Sequence, residues 1–110
     1  MNAARPRVLV VDEDQALRLL FRINLELEGF EVVEATSGTA PRSGDRSFAA
    51  VVVDDPRTAL LVRRLHTPVV VVGARYGGFD PLTFGRHVRV AAVSTASGAR
   101  PRGGAGRATG

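Results

Sequence analysis

The chain has 110 residues, a length that fits one domain with a modest hydrophobic core. Hydrophobic residues make up 45% of it and charged residues 24%, a balance that predicts a folded globular protein. The absence of cysteine excludes a disulfide framework and a thiolate metal site, and a total of 2 histidines argues against a histidine-rich zinc site. The apolar runs are too short for a membrane span and no signal-peptide core follows the first arginines, so we expect a cytoplasmic protein.

The formal net charge of +4 is distributed unevenly along the chain. Residues 1–93 contain 12 arginines and all 11 acids, which leaves a charge of +1, whereas residues 94–110 contain 3 arginines and no acid. The latter segment has no large apolar residue, and we expect it to be a disordered basic tail rather than a nucleic-acid interface. Every basic side chain is an arginine, because the chain contains no lysine.

The first third of the chain has the pattern of a strand, a helix and a second strand. Residues 7–11 form a short apolar run rich in β-branched residues, which is typical of a strand buried on both faces of a parallel sheet. Apolar residues then recur at helical spacing over residues 15–28, with Asp14 as the expected N-cap and Gly29 as the C-terminal stop. Residues 30–35 alternate as a strand, and a right-handed crossover makes the two strands parallel neighbours.

The middle of the chain continues this alternation. Residues 39–47 contain proline and glycine, so we expect at most one or two poor helical turns there. Residues 48–53 predict a third buried strand, residues 57–66 a short amphipathic helix, and residues 68–72 a fourth strand.

The pattern changes beyond the fourth strand. Residues 74–80 are rich in turn formers and cannot hold both a helix and a strand. Asp80 and Pro81 suit the cap and first position of a last helix over residues 81–93. The alternation of residues 87–93 leaves a fifth strand as the alternative.

Acidic residues follow the first and third predicted strands. Asp12 and Glu13 come after the first strand, and Asp54 and Asp55 come after the third. In parallel α/β sheets, ligands bind outside the carboxyl ends of the strands, where these carboxylates would converge and repel one another. A Mg²⁺ ion with oxygen ligands would relieve that repulsion, and a carboxylate beside it could attack a phosphoryl group. The alternative is that Asp54 and Asp55 only cap the following helix.

A family resemblance is carried by two segments and the helix between them. Residues 8–14 read Val-Leu-Val-Val-Asp-Glu-Asp, and residues 28–38 read Glu-Gly-Phe-Glu-Val-Val-Glu-Ala-Thr-Ser-Gly. Together they resemble the first third of a response-regulator receiver domain, the phosphate-accepting module of two-component signalling. The resemblance implies that residues 1–93 form a truncated receiver fold. Such a fold has a flavodoxin-like open parallel sheet, in which the first and third strands are adjacent.

The resemblance also assigns roles to individual residues. It implies that Asp12, Glu13 and Asp54 bind Mg²⁺, and that Asp54 accepts phosphate from a partner histidine kinase. The chain departs from the family pattern further on. The family's lysine aligns near Gly77, and its threonine or serine falls on Gly73. Arg75 offers charge but is not a geometric equivalent of that lysine.

These residues lead to several functional hypotheses. The first is a phosphorelay receiver, not an enzyme, whose partner is a sensor histidine kinase or another signalling protein rather than a nucleic acid or a membrane. The second is a pseudo-receiver that binds proteins without phosphorylation. The third is a decayed or truncated fragment, and a weaker fourth is a flavodoxin-like nucleotide binder, for which no phosphate loop is present.

Overall fold

The computed structural model describes residues 5–41 and 47–97, with side chains described as far as residue 93. Its sheet has four strands, β1 (Arg7–Val11), β2 (Glu31–Ala35), β3 (Ala50–Val53) and β4 (Val69–Val71). Its α-helices are α1 (Gln15–Leu27), α2 (Pro56–Val62) and α3 (Phe84–Ser97). Two short 3₁₀ turns occupy Arg63–Leu65 and Ala74–Tyr76.

All the strand pairs are parallel, and the strand order is β2-β1-β3-β4. Val11 lies opposite Ala35 on one side and Val53 on the other, and Val53 in turn lies opposite Val71. The molecule is thus an α/β protein whose sheet order is compatible with a flavodoxin-like arrangement. No fifth strand follows β4 in the described residues, and the strand alternative for residues 87–93 is wrong because they belong to α3.

The sheet is covered on both faces. On one face α1 and α3 pack over Val8 and Val10, and on the other α2 packs near Leu9 and Val11. These four β1 side chains are completely buried, as expected for a continuous apolar strand inside a parallel sheet. The rings of Phe21, Phe79 and Phe84 lie with centroids 5.2–6.0 Å apart and join α1 to the start of α3.

The predicted ends of α1 are confirmed. The Asp14 carboxylate accepts hydrogen bonds from the backbone N–H groups of Ala16 at 2.9 Å and Leu17 at 3.4 Å. Gly29 has a φ of 100°, a left-handed conformation that terminates the helix at no steric cost. In the described part of the chain, no helix has the length and apolar content needed to cross a membrane.

The helices after β3 differ from the predicted ranges. The helix predicted over residues 57–66 begins at Pro56 and continues as a 3₁₀ turn from Arg63. The 3₁₀ turn ends at His66, whose φ of 56° is left-handed. The predicted last helix begins with a turn capped by Asp80, whose carboxylate accepts from the N–H of Leu82, and α3 proper starts at Phe84.

α3 continues to Ser97, beyond the predicted end of the last helix at residue 93. The rest of the predicted disordered tail, residues 98–110, lies outside the described residues. Residues 42–46 of the predicted irregular segment 39–47 lie outside them as well.

Candidate functional site: an arginine between two buried aspartates

Asp12 and Asp54 lie side by side at the carboxyl edge of the sheet. Each directly follows a strand, and these strands are parallel neighbours with Val11 opposite Val53. The chain therefore delivers both carboxyl groups to the same point. Only 3% of Asp12 and none of Asp54 is exposed to solvent. Two charged carboxylates removed from water need a positive partner, because desolvation and mutual repulsion both oppose ionisation.

Arg75 provides that partner. Its Nη2 donates to Asp12 Oδ1 at 2.6 Å, and its Nη1 donates both to Asp12 Oδ2 at 3.1 Å and to Asp54 Oδ2 at 3.0 Å. The same Nη1 lies 3.8 Å from Asp55 Oδ2. The guanidinium thus donates to both carboxylate oxygens of Asp12, which is the bidentate geometry to which arginine is best suited. These contacts, first the hydrogen bonds to Asp12, raise the pKa of Arg75 above its ordinary value.

The backbone after β4 encloses the second aspartate. The N–H of Ala74 donates to Asp54 Oδ1 at 2.6 Å, and the N–H of Arg75 donates to Oδ2 at 3.3 Å. Gly73 starts this turn with a φ of 73°, and its N–H donates to the Asp54 carbonyl at 2.9 Å. The left-handed conformation suits glycine at the position where the receiver pattern has a hydroxyl residue. Both Asp54 carboxylate oxygens are therefore already hydrogen-bonded.

Glu13 and Asp55 do not join the buried pair. The Glu13 carboxylate turns outward and accepts the N–H of Ser37 at 2.6 Å, a hydrogen bond that lowers its pKa. The Asp55 carboxylate is the N-cap of α2 and accepts the N–H of Thr58 at 2.7 Å, which is the main cause of its lowered pKa. The predicted capping role thus belongs to Asp55, while Asp54 takes part in the buried cluster.

The arrangement does not fit the predicted Mg²⁺ ion. Of the expected ligands, the structure brings Asp12 and Asp54 together but directs Glu13 to Ser37. Arg75 occupies the space between the two aspartates, and its positive charge opposes the entry of a dication. Within residues 5–41 and 47–93, no group of 3 or more acidic, histidine or cysteine side chains is placed to hold a metal.

A second arginine supports the site from α1. Arg18 Nη1 donates to the Asp12 carbonyl at 2.7 Å, and its Nε donates to Glu34 Oε1 at 3.1 Å. The side chain is only 16% exposed. It joins the end of β1 to β2 and so holds the backbone that carries Asp12.

The sequence interpretation missed the role of Arg75, although two signals pointed to it. Converging carboxylates require a positive charge, and a chain without lysine must supply that charge from an arginine or a metal ion. Arg75 is also the only basic residue between β4 and α3. The local sequence does not predict that the turn after β4 folds back over the end of β3, and this path brings Arg75 to Asp54.

No protein-family model, curated protein or solved structure matches this chain. Its class is therefore defined by its fold and site alone. It is an α/β protein with a four-stranded parallel sheet and an arginine bound between two buried aspartates at the carboxyl edge.

Proposed function

We propose that this chain is a receiver-like signalling module of the cytoplasm, with a flavodoxin-like fold shortened after β4, that binds other proteins without being phosphorylated. The observation that carries this proposal is the placement of Arg75 between Asp12 and Asp54. In a phosphate-accepting site, a divalent cation would neutralise these carboxylates and the incoming phosphoryl group. Here a side chain of the protein already supplies the neutralising charge.

The chemistry of Asp54 supports the proposal. Transfer of a phosphoryl group to a carboxylate requires an accessible oxygen and a cation that stabilises the equatorial phosphoryl oxygens. Asp54 is completely buried, and hydrogen bonds from Ala74 and Arg75 occupy both of its oxygens. No lysine is available to bind a phosphoryl oxygen, and Gly73 offers no hydroxyl. The nucleophile is both covered and neutralised.

A fixed cluster suits a module that presents a constant surface. Arg75 joins the turn after β4 to the ends of β1 and β3, so the carboxyl edge is held together across three parts of the chain. A phosphorylation switch would require this edge to alternate between two arrangements. With the ion pairs intact, recognition of a partner rests on one folded surface.

Treatment with acetyl phosphate and Mg²⁺ tests the proposal. We expect the intact mass of the unmodified chain to stay unchanged, while a known phosphate-accepting receiver treated in parallel gains one phosphate. The Asp54→Asn variant serves as the matched control. A mass gain of one phosphate in the unmodified chain that is absent from Asp54→Asn would overturn the proposal. A cooperative thermal unfolding transition is expected as well, and its absence would favour the decayed-fragment hypothesis.

The second candidate function is the phosphorelay receiver, in which a phosphohistidine of a partner kinase donates to Asp54. The observation that favours it is the partial exposure of Arg75, whose side chain is 36% accessible and so has a path to solvent. Departure of Arg75 would leave Asp12 and Asp54 beside each other for a cation. The same acetyl phosphate experiment distinguishes the two functions, because only the receiver gains phosphate.

A further inference from the structure

β4 has the composition of an interior strand but lies at the edge of the sheet. Among the described residues it pairs only with β3, and Val71 is 46% exposed, whereas every residue of β3 is completely buried. Edge strands of soluble proteins usually carry charges, prolines or bulges that prevent pairing with another chain. The run Val69–Val72 contains none of these. Such an unprotected apolar edge is a template for pairing with another strand.

The hydrogen bonds of β4 define which backbone groups face outward. On the β3 side, the carbonyl of Pro68 accepts from Val51 N–H and the N–H of Val72 donates to the Val53 carbonyl, both at 2.9 Å. Because alternate residues of a strand face opposite neighbours, the backbone N–H and C=O groups of Val69 and Val71 point to the open edge. Neither residue makes a further backbone hydrogen bond within the described residues.

The open edge borders a groove that leaves it accessible. The groove has a volume of about 220 Å³. Its lining comes from β4 and from the turn and first residues of α3: Val70, Val71, Val72, Asp80, Thr83 and Phe84. Two large apolar side chains of the flanking turns, Tyr76 and Leu82, are 84% and 85% exposed. The edge therefore borders a groove of mixed polarity, in which Asp80, Thr83 and His87 lie beside the valines of the edge.

We propose that β4 pairs antiparallel with β4 of a second copy of this chain, about a two-fold axis at Val70. In this register Val69 opposes the partner's Val71, and Val71 opposes the partner's Val69. Each of these pairs exchanges both of its N–H···O=C bonds, so all of the outward-facing groups are satisfied. Val70 meets its own equivalent in a non-hydrogen-bonded pair. The two four-stranded sheets become one continuous sheet, and the proposal is independent of the function proposed above.

The charges that flank β4 favour a second copy in this orientation. Arg63 and Arg64 precede the strand and are exposed, while Asp80 follows it, is exposed and lines the groove. None of them forms an ion pair with another described residue. An antiparallel pair brings the basic end of one strand toward the acidic end of the other. Both charged flanks belong to this chain, so a second copy supplies the complement of each.

Sedimentation over a wide range of protein concentration tests the proposal on the unmodified chain, which we expect to form dimers. The Val71→Lys variant should be monomeric, because a lysine on the open edge is incompatible with the pair. The matched control is Ile23→Lys, which changes a 49% exposed residue on α1, a helix that packs on β1 and β2 away from β4. A monomer at every concentration, or equal loss of the dimer in both variants, would disprove the pairing.

Cysteine cross-linking tests the register, because the chain contains no cysteine of its own. A non-hydrogen-bonded antiparallel pair has Cα atoms about 4.5 Å apart, within the range of a disulfide, so Val70→Cys should form a cross-linked dimer on oxidation. In Val71→Cys the equivalent residues are diagonal neighbours at about 7–8 Å, and cross-linking should be strongly reduced. Random collision would favour the more exposed position 71, so cross-linking of Val71→Cys at least as strong as that of Val70→Cys would contradict the proposal.

Discussion

Arg75 Nη2 donates to Asp12 Oδ1 across 2.6 Å, although 63 residues separate the two along the chain. Through Nη1 the same guanidinium reaches Asp54. One side chain therefore ties the turn after β4 to the ends of β1 and β3. This contact places a positive charge at the carboxyl edge of the sheet, where the pattern of acids predicts a metal ion.

Replacing Arg75 with glutamine should lower the free energy of unfolding by about 3 kcal/mol near pH 7, because it leaves two buried carboxylates without a counter-charge. We further expect Mg²⁺ to restore part of that loss in the variant while leaving the unmodified chain unaffected. Urea denaturation with and without Mg²⁺ measures both effects. Arg86→Gln is the control, since this exposed arginine forms no ion pair with a described residue and its replacement should cost less than about 0.5 kcal/mol. Equal losses in the two variants would show that the bridge contributes nothing specific.

The stability of the fold should decrease at acidic pH partly through Asp55. The hydrogen bond from the N–H of Thr58 lowers the pKa of Asp55 below its ordinary value of 3.8. The folded carboxylate then binds fewer protons than the unfolded one, so its contribution is fully present above pH 3.8 and is lost as the pH falls through the folded pKa. In Asp55→Asn the side chain still caps α2 but does not titrate. The melting temperature of the variant should therefore fall less steeply with acidification, and identical profiles would refute the assignment.

Two arginines of α1 contact Glu34 but should differ in their effect on stability. Arg18 is 16% exposed and also donates to the Asp12 carbonyl, whereas Arg22 is 47% exposed and, among the described residues, bonds only to the carboxylates of Glu26 and Glu34. We expect Arg18→Met to cost about 1–2 kcal/mol and Arg22→Met less than about 0.5 kcal/mol. Urea denaturation of both variants measures the difference. A larger effect at position 22 would mean that the backbone hydrogen bond of Arg18 is unimportant.

The turn after β4 should not tolerate a side chain at Gly78. A Cβ atom added there would clash with the backbone oxygen of Val72, which cannot move without disturbing the strand. We expect Gly78→Ala to destabilise the protein by about 1–3 kcal/mol. At Gly38 the nearest atom to an added Cβ is the Thr36 hydroxyl at 3.9 Å, so Gly38→Ala should be nearly neutral. Thermal unfolding of the pair tests this, and comparable melting temperatures would argue against the close approach.

Much of the secondary structure was predictable because its signals are local. The valine runs of β1 and β3 indicate buried strands, and Asp14 and Gly29 mark the two ends of α1 within a few residues of the helix itself. The meeting of Asp12 and Asp54 was predicted only through the resemblance to receiver domains, which implies that the first and third strands are neighbours. Residues 87–93 satisfy the periodicities of both a helix and a strand, so the pattern alone does not choose between them. In the structure they belong to α3, whose Val88 and Ala92 pack into the core.

The partners of the acidic side chains could not be predicted in the same way. Glu13 and Asp12 are adjacent in sequence, but one binds Ser37 at the surface and the other is buried against Arg75. The outcome depends on the direction of each side chain at the end of a strand and on the path of the turn after β4. The exposed edge of β4 is likewise a property of strand order, and its valine sequence alone would suggest an interior strand.

By itself the sequence determined the alternation of strands and helices and the capping residues, because hydrophobic periodicity and helix caps act over a few neighbouring residues. Only the tertiary structure decided that Arg75 neutralises Asp12 and Asp54, that Glu13 stands apart, and that β4 lies at the edge of the sheet. The physical reason is that charge pairing and desolvation depend on distances between groups far apart in the chain, and these distances exist only once the sheet has formed.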